Sequence, residues 1–111
     1  MLVSLRFRVS EADGPRFIGD AQVALRALAA RQGYLDGTVG RAVDDPEMWT
    51  MCLHWQSIGA YRRALGAHDV RVAAVPLLSL ALDEPTAFEV LADAIGSRDS
   101  DRANDDATRG G

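Results

Sequence analysis

The chain has 111 residues, 48% apolar and 25% charged, which is ordinary globular composition for one domain and too apolar for a chain disordered throughout. A net charge of −4 argues against a general nucleic-acid or anionic-membrane surface. Cys52 is the single cysteine, so no intrachain disulfide can form, and the lack of any lysine excludes Schiff-base chemistry. No stretch reads as a secretion signal or a membrane span, so a cytoplasmic location is expected.

Leu2 to Val9 alternates, with Val3, Leu5, Phe7 and Val9 on one face and Leu2, Ser4, Arg6 and Arg8 on the other. That is the pattern of a half-buried strand. Ser10 is a helix N-cap, with Asp13 three residues on and Gly14-Pro15 early enough for a first turn to tolerate. Phe17, Ala21, Ala24, Leu25 and Leu28 then form a helical stripe that Gly33 ends. A second strand is predicted over Tyr34 to Val43, a turn at Asp44-Asp45-Pro46, and a third strand over Met48 to Trp55. Trp49, Met51, Leu53 and Trp55 share one face of that third strand; Met48, Thr50, Cys52 and His54 share the other.

Ser57 caps a second long helix, with Ile58, Tyr61 and Leu65 on one side and Gly66 at its end. His68 to Val75 reads as a further short helix, and Leu77 to Leu82 as helix or turn. Asp83-Glu84-Pro85 punctuates, and Thr86 to Leu91 is the last strand. From Ser97 onward no large apolar residue occurs, so 97–111 is expected to be a disordered tail behind a domain of residues 1–96. The resulting order, β-α-β-β-α-β, is the α+β ferredoxin-like arrangement with a four-stranded antiparallel sheet.

In that arrangement the helices cover one sheet face. The other would carry Leu2, Met48, Thr50 and Cys52, with Ala87 and Leu91, among Arg6, Arg8, His54 and Glu89. A solvated sheet face should be more polar. A homodimer through this face is therefore expected, with Arg6 or Arg8 pairing with Glu89.

Three segments carry a resemblance: Asp45-Pro46-Glu47-Met48-Trp49-Thr50, His54-Trp55-Gln56-Ser57, and Ala60-Tyr61-Arg62-Arg63-Ala64-Leu65. Together with Gly33 and Gly40-Arg41 they resemble the antibiotic biosynthesis monooxygenase family over residues 1 to 91. The resemblance implies a dimeric α+β barrel and a cofactor-independent monooxygenase, in which a phenol or quinol-like substrate loses a proton and reacts directly with oxygen. Such chemistry needs an apolar pocket and a polar group that stabilises the anion. Neither metal nor cofactor is implied.

On this resemblance the substrate-binding candidates are Phe7, Trp49, Trp55 and Arg62, and the catalytic candidates are Tyr61 and His68. Phe7, Met51 and Leu53 equally read as plain core. Trp55 and Tyr61 stand between core and pocket wall, since each has a polar tip. His68 is a candidate base because an imidazole titrates near neutrality, although it also reads as a surface residue at a helix start. Arg62 would meet an anionic substrate, or simply face solvent.

Two departures count. Family enzymes often hold the substrate oxygen with an asparagine on a core strand; here the only asparagine is Asn104, in the tail. Haem-degrading relatives carry a tryptophan and a histidine ligand where this chain has Ala64 and Val75, so haem degradation is not expected. Cys52, His54 and His68 have no metal-ligand spacing. The alternative reading is a non-catalytic dimeric barrel that binds a small molecule.

Overall fold

A computed structural model of the protein describes residues 1–94. The expected disordered tail at 97–111, with Asn104, lies outside the described residues. In chain order the elements are β1 (Leu2–Arg8), a 3-10 turn (Glu11–Asp13), α1 (Gly14–Ala29), β2 (Tyr34–Ala42), β3 (Asp45–Trp55), α2 (Ile58–Gly66), α3 (His68–Ala73), α4 (Val75–Leu78) and β4 (Ala87–Phe88). The strands form one antiparallel sheet in the order β2-β3-β1-β4. This is the ferredoxin-like α+β fold expected from the alternation and helix stripes.

The period-2 pattern decides the layers. Val3, Leu5 and Phe7 of β1 and Trp49, Met51, Leu53 and Trp55 of β3 are buried together beneath the helices. α1 adds Phe17, Ala21, Ala24 and Leu28 from one stripe. Phe17 lies between Phe7 and Trp49, with ring centroids 5.1 and 5.2 Å away in tilted pairs. Tilted and edge contacts suit the ring quadrupole. Trp55 has the same kind of neighbours, Tyr34 at 5.3 Å and Tyr61 at 5.5 Å.

Caps and turns refine the expected boundaries. Ser10 caps the 3-10 turn, accepting from the Asp13 N–H, and α1 begins only at Gly14. Ser57 caps α2 as predicted, accepting from the Ala60 N–H at 3.1 Å. Gly33 has φ +93°, and a Cβ there would collide with that of Ala60, so the stop after α1 needs glycine twice over. The α2 stripe differs from the one expected. Ala60, Tyr61 and Ala64 are buried, whereas Ile58 is 38% exposed, because small residues let the helix approach Gly33 and the strands.

The hairpin is tighter than predicted. Only Val43 and Asp44 turn, and Asp45 and Pro46 belong to β3. Among the described residues no residue but glycine has a positive φ, so the turn is not a primed type. A bulge between Arg41 and Ala42 supplies the missing twist and absorbs Pro46, which has no N–H for the ladder.

The last strand is shorter than predicted, Ala87–Phe88 rather than Thr86 to Leu91. The chain still follows β1: the Leu82 N–H donates to the Arg6 carbonyl and the Ser4 N–H to the Thr86 carbonyl, both at 2.8 Å. Pro85 interrupts the ladder between them. Ala87 pairs with Val3 and so sits on the helix side, against expectation; Phe88, opposite Leu2, takes the open face. Nor does Glu89 pair with the sheet arginines. Arg6 grips Glu84, and Arg8 meets Asp45 and Glu47, because these carboxylates lie beside β1.

Candidate functional site

Of the cavities that border the core, two lie at opposite edges of the sheet. The first lies between β1, the α2 and α4 helices, and the segment leading into β4. It measures about 590 Å³, with Leu5, Tyr61, Leu65 and Val75 among its apolar walls and Asp83, Glu84 and Thr86 on its rim. The size suits a drug-sized ligand. Tyr61 is held by the capped first turn of α2 and by Trp55 beneath its ring. Burial raises its phenol above the ordinary value, so it remains a neutral donor near pH 7. Among the described residues its hydroxyl has no hydrogen-bond partner. Glu84 is the opposite case. Both its oxygens accept from Arg6, Nε at 2.8 Å and a terminal nitrogen at 2.7 Å. That hydrogen bonding lowers its carboxyl below the usual range. Asp83, beside it, has no ion pair among the described residues.

The second cavity, about 530 Å³, lies between α1 and β2. Ile18, Ala21, Leu25, Val39 and Trp49 provide its apolar walls, and Arg41 is the one charged residue in its lining among the described residues. Arg41 and Trp49 are cross-strand partners, and the guanidinium carbon stands 5.3 Å from the Trp49 ring centroid. Such a contact contributes about 0.5–1 kcal/mol at an exposed site.

The site residues expected from sequence are thus divided. Tyr61 reaches the first cavity and Trp49 the second. Phe7 and Trp55 are core, 1% and 0% exposed. Arg62, on the outer side of α2, and His68, at the start of α3, are exposed and line none of the cavities. The indole N–H groups of Trp49 and Trp55 are buried with no partner among the described residues. Leaving one unpaired costs about 1–3 kcal/mol. Burying the ring, 150–250 Å² at about 25 cal/mol per Å², returns about 4–6 kcal/mol, so burial wins.

Asp83, Glu84 and Arg41 were not singled out as site residues from sequence. Alternation in β2 puts Arg41 on the face of Val39, but only the β2–β3 register sets it opposite Trp49. The acids looked like turn formers, and only the packing of α4 onto β1 places them at a cavity. Among the described residues, no three His, Cys, Asp or Glu side chains gather in a way that could hold a metal.

No protein-family model and no curated protein matches the chain. Solved structures do. SnoaB, a cofactor-independent oxygenase from Streptomyces nogalater, superposes with a TM-score of 0.62 at 23% identity, over 83% of this chain and 96% of its own. Rv0793 from Mycobacterium tuberculosis gives 0.66 at 14% identity, over 84% and 96%. A protein described as an antibiotic biosynthesis monooxygenase gives 0.62 at 13%, over 81% and 99%. The fold is that of the antibiotic biosynthesis monooxygenases. The resemblance carried by the three sequence segments therefore extends to the fold and nearly the whole length of these structures.

Proposed function

We propose that this chain is a cofactor-independent monooxygenase acting on a small phenol or quinol-like molecule, bound in the cavity beside Tyr61. The observation that carries this reading is a neutral, unpartnered phenol hydroxyl on the wall of a largely apolar cavity, within a fold shared with an oxygenase. The overall change is a phenol with a free ring C–H plus O₂, giving a quinone and water. A carboxylate takes the phenolic proton, and the ring anion gives electrons to O₂ as a C–O bond forms. The peroxide is protonated; its O–O bond then breaks as the ring proton leaves, releasing water.

Tyr61 donates to the anionic ring oxygen, the part an oxyanion donor plays elsewhere. Asp83 is the favoured proton acceptor, since Glu84 is already engaged by Arg6. Arg62 and His68, proposed from sequence for anion binding and deprotonation, would have to act from outside the cavity.

The working unit is a homodimer joined through the open sheet face. Leu2, Met48, Thr50 and Cys52 are only half-buried there, and Phe88 is 43% exposed. Burying the same patch twice is the economical use of such a face.

Oxygen uptake with a panel of phenols and hydroquinones tests the proposal on protein whose sedimentation mass is that of two chains. Tyr61→Phe is expected to reduce the rate about 10²-fold at unchanged thermal midpoint, as for loss of one oxyanion donor. Unchanged uptake, or none with any substrate, overturns it. Binding without uptake would favour the second reading, a non-catalytic binding protein. That reading draws on Phe7, Trp49 and Trp55 filling much of the space between sheet and helices.

A further inference from the structure

We infer that the cavity between α1 and β2 is a second binding site, for a small apolar molecule bearing one carboxylate. The site does not depend on the oxygenase reading, because none of its lining residues is shared with the cavity beside Tyr61.

Three observations lead to it. The cavity of about 530 Å³ is within the range that holds a small molecule. Its walls are largely aliphatic and aromatic, with Ile18 and Leu25 from α1 facing Val39 and Trp49 from the sheet, and Gln22 and Thr38 as the uncharged polar residues of the lining. Finally, Arg41 is the sole charged residue in the lining and has no carboxylate partner among the described residues. Arg6, Arg8 and Arg16 have one, while Arg26, Arg31, Arg62, Arg63 and Arg71 have none either but line no part of this cavity.

The geometry fixes the ligand's polarity. Arg41 is held over Trp49 by register, so its planar fork stands at the edge of the apolar wall. A guanidinium in that position matches a carboxylate with two parallel N–H···O bonds. The same cation repels an ammonium and gains little from an alcohol. Gly37 keeps the β2 wall low: a Cβ there would press on the Tyr34 hydroxyl, Leu53 and Leu25.

Calorimetric titration of the full chain with three naphthalene probes of equal ring and different charge tests this: 1-naphthoate, 1-naphthalenemethanol and 1-naphthylmethylammonium. The carboxylate is expected to bind at least tenfold more tightly than the alcohol, and the ammonium more weakly than either. Arg41→Gln should abolish the carboxylate preference, Arg41→Lys should keep part of it, and Tyr61→Phe should leave it intact. Equal affinities in the natural protein, no binding of the carboxylate, or a preference that survives Arg41→Gln would overturn the site. Loss of the preference in Tyr61→Phe would place the carboxylate in the other cavity and overturn it equally. A matched thermal midpoint for Arg41→Gln separates a lost contact from a lost fold.

Discussion

The cavity beside Tyr61 and the cavity beside Trp49 share one hydrophobic core but have opposite charge. The first has Asp83 and Glu84 on its rim; the second has Arg41 alone. Each charge comes from a segment at a sheet edge, where one side of the backbone is solvated and a polar residue costs little. In the proposed reaction an anion forming beside Tyr61, with Asp83 protonated and Glu84 paired with Arg6, depends on the Tyr61 hydroxyl, whereas one beside Trp49 meets a cation. Taking up a proton suits the first cavity, and holding a finished anion suits the second. Nearly equal volume therefore says little about role; the rim decides it.

The comparison can be broken first at its tryptophans. Both are buried, Trp55 at 0% exposed between Tyr34 and Tyr61 and Trp49 at 4%, but only Trp49 lines one of the two cavities. Trp55→Ala should cost about 3–5 kcal/mol in urea unfolding and disturb the Tyr61 cavity, with Trp49→Ala costing somewhat less because its cavity already leaves part of the ring without packing partners. Equal losses would mean that the Trp49 cavity closes in solution.

A smaller effect is expected at Gly37. A methyl group there would lie 2.5 Å from the Tyr34 hydroxyl, 2.8 Å from a Leu53 methyl and 3.0 Å from a Leu25 methyl. Gly37→Ala should destabilise by about 1–3 kcal/mol, as overpacking does. It should reshape the Trp49 cavity and leave oxygen uptake unaltered. A fall in uptake would show that the two cavities communicate.

The smallest effect concerns the acidic rim. Arg6 lowers the Glu84 carboxyl, first by hydrogen bonding and then by its charge, so the folded form binds a proton less readily than the unfolded chain. The stabilisation is then complete above the unfolded value near 4.3 and fades as pH falls through the lower folded value. Glu84→Gln should lower the thermal midpoint slightly at neutral pH, less in high salt, and hardly at all near about pH 2, because the pair is exposed. A difference that persists in acid would mean that Glu84 stabilises by packing.

Much of the fold was legible in local pattern. Alternation in β1 and β3 named the buried face, Ser57 and Gly33 marked real boundaries, and the Phe17, Ala21, Ala24 and Leu28 stripe assigned the α1 interior. Errors fell where backbone hydrogen bonding competes over distance. Pro46 looked like turn and is bulged strand, and Leu91 looked like strand and lies beyond β4. Site residues were less legible. Tyr61 and Trp49 were singled out on one sheet-and-helix surface, yet they open onto different cavities.

By itself the sequence determined the buried faces of β1, β3 and α1, the strand and helix order, and the chemical inventory: one cysteine, two histidines and no lysine. These follow from periodicity and composition, which act within a few residues. Only the tertiary structure decided that Arg6 takes Glu84, that Arg41 covers Trp49, and that acids rim one cavity and a cation the other. Arg6 and Glu84 are 78 residues apart, and Arg41 meets Trp49 through the hairpin's register; both depend on how strands and helices pack, which no local pattern encodes.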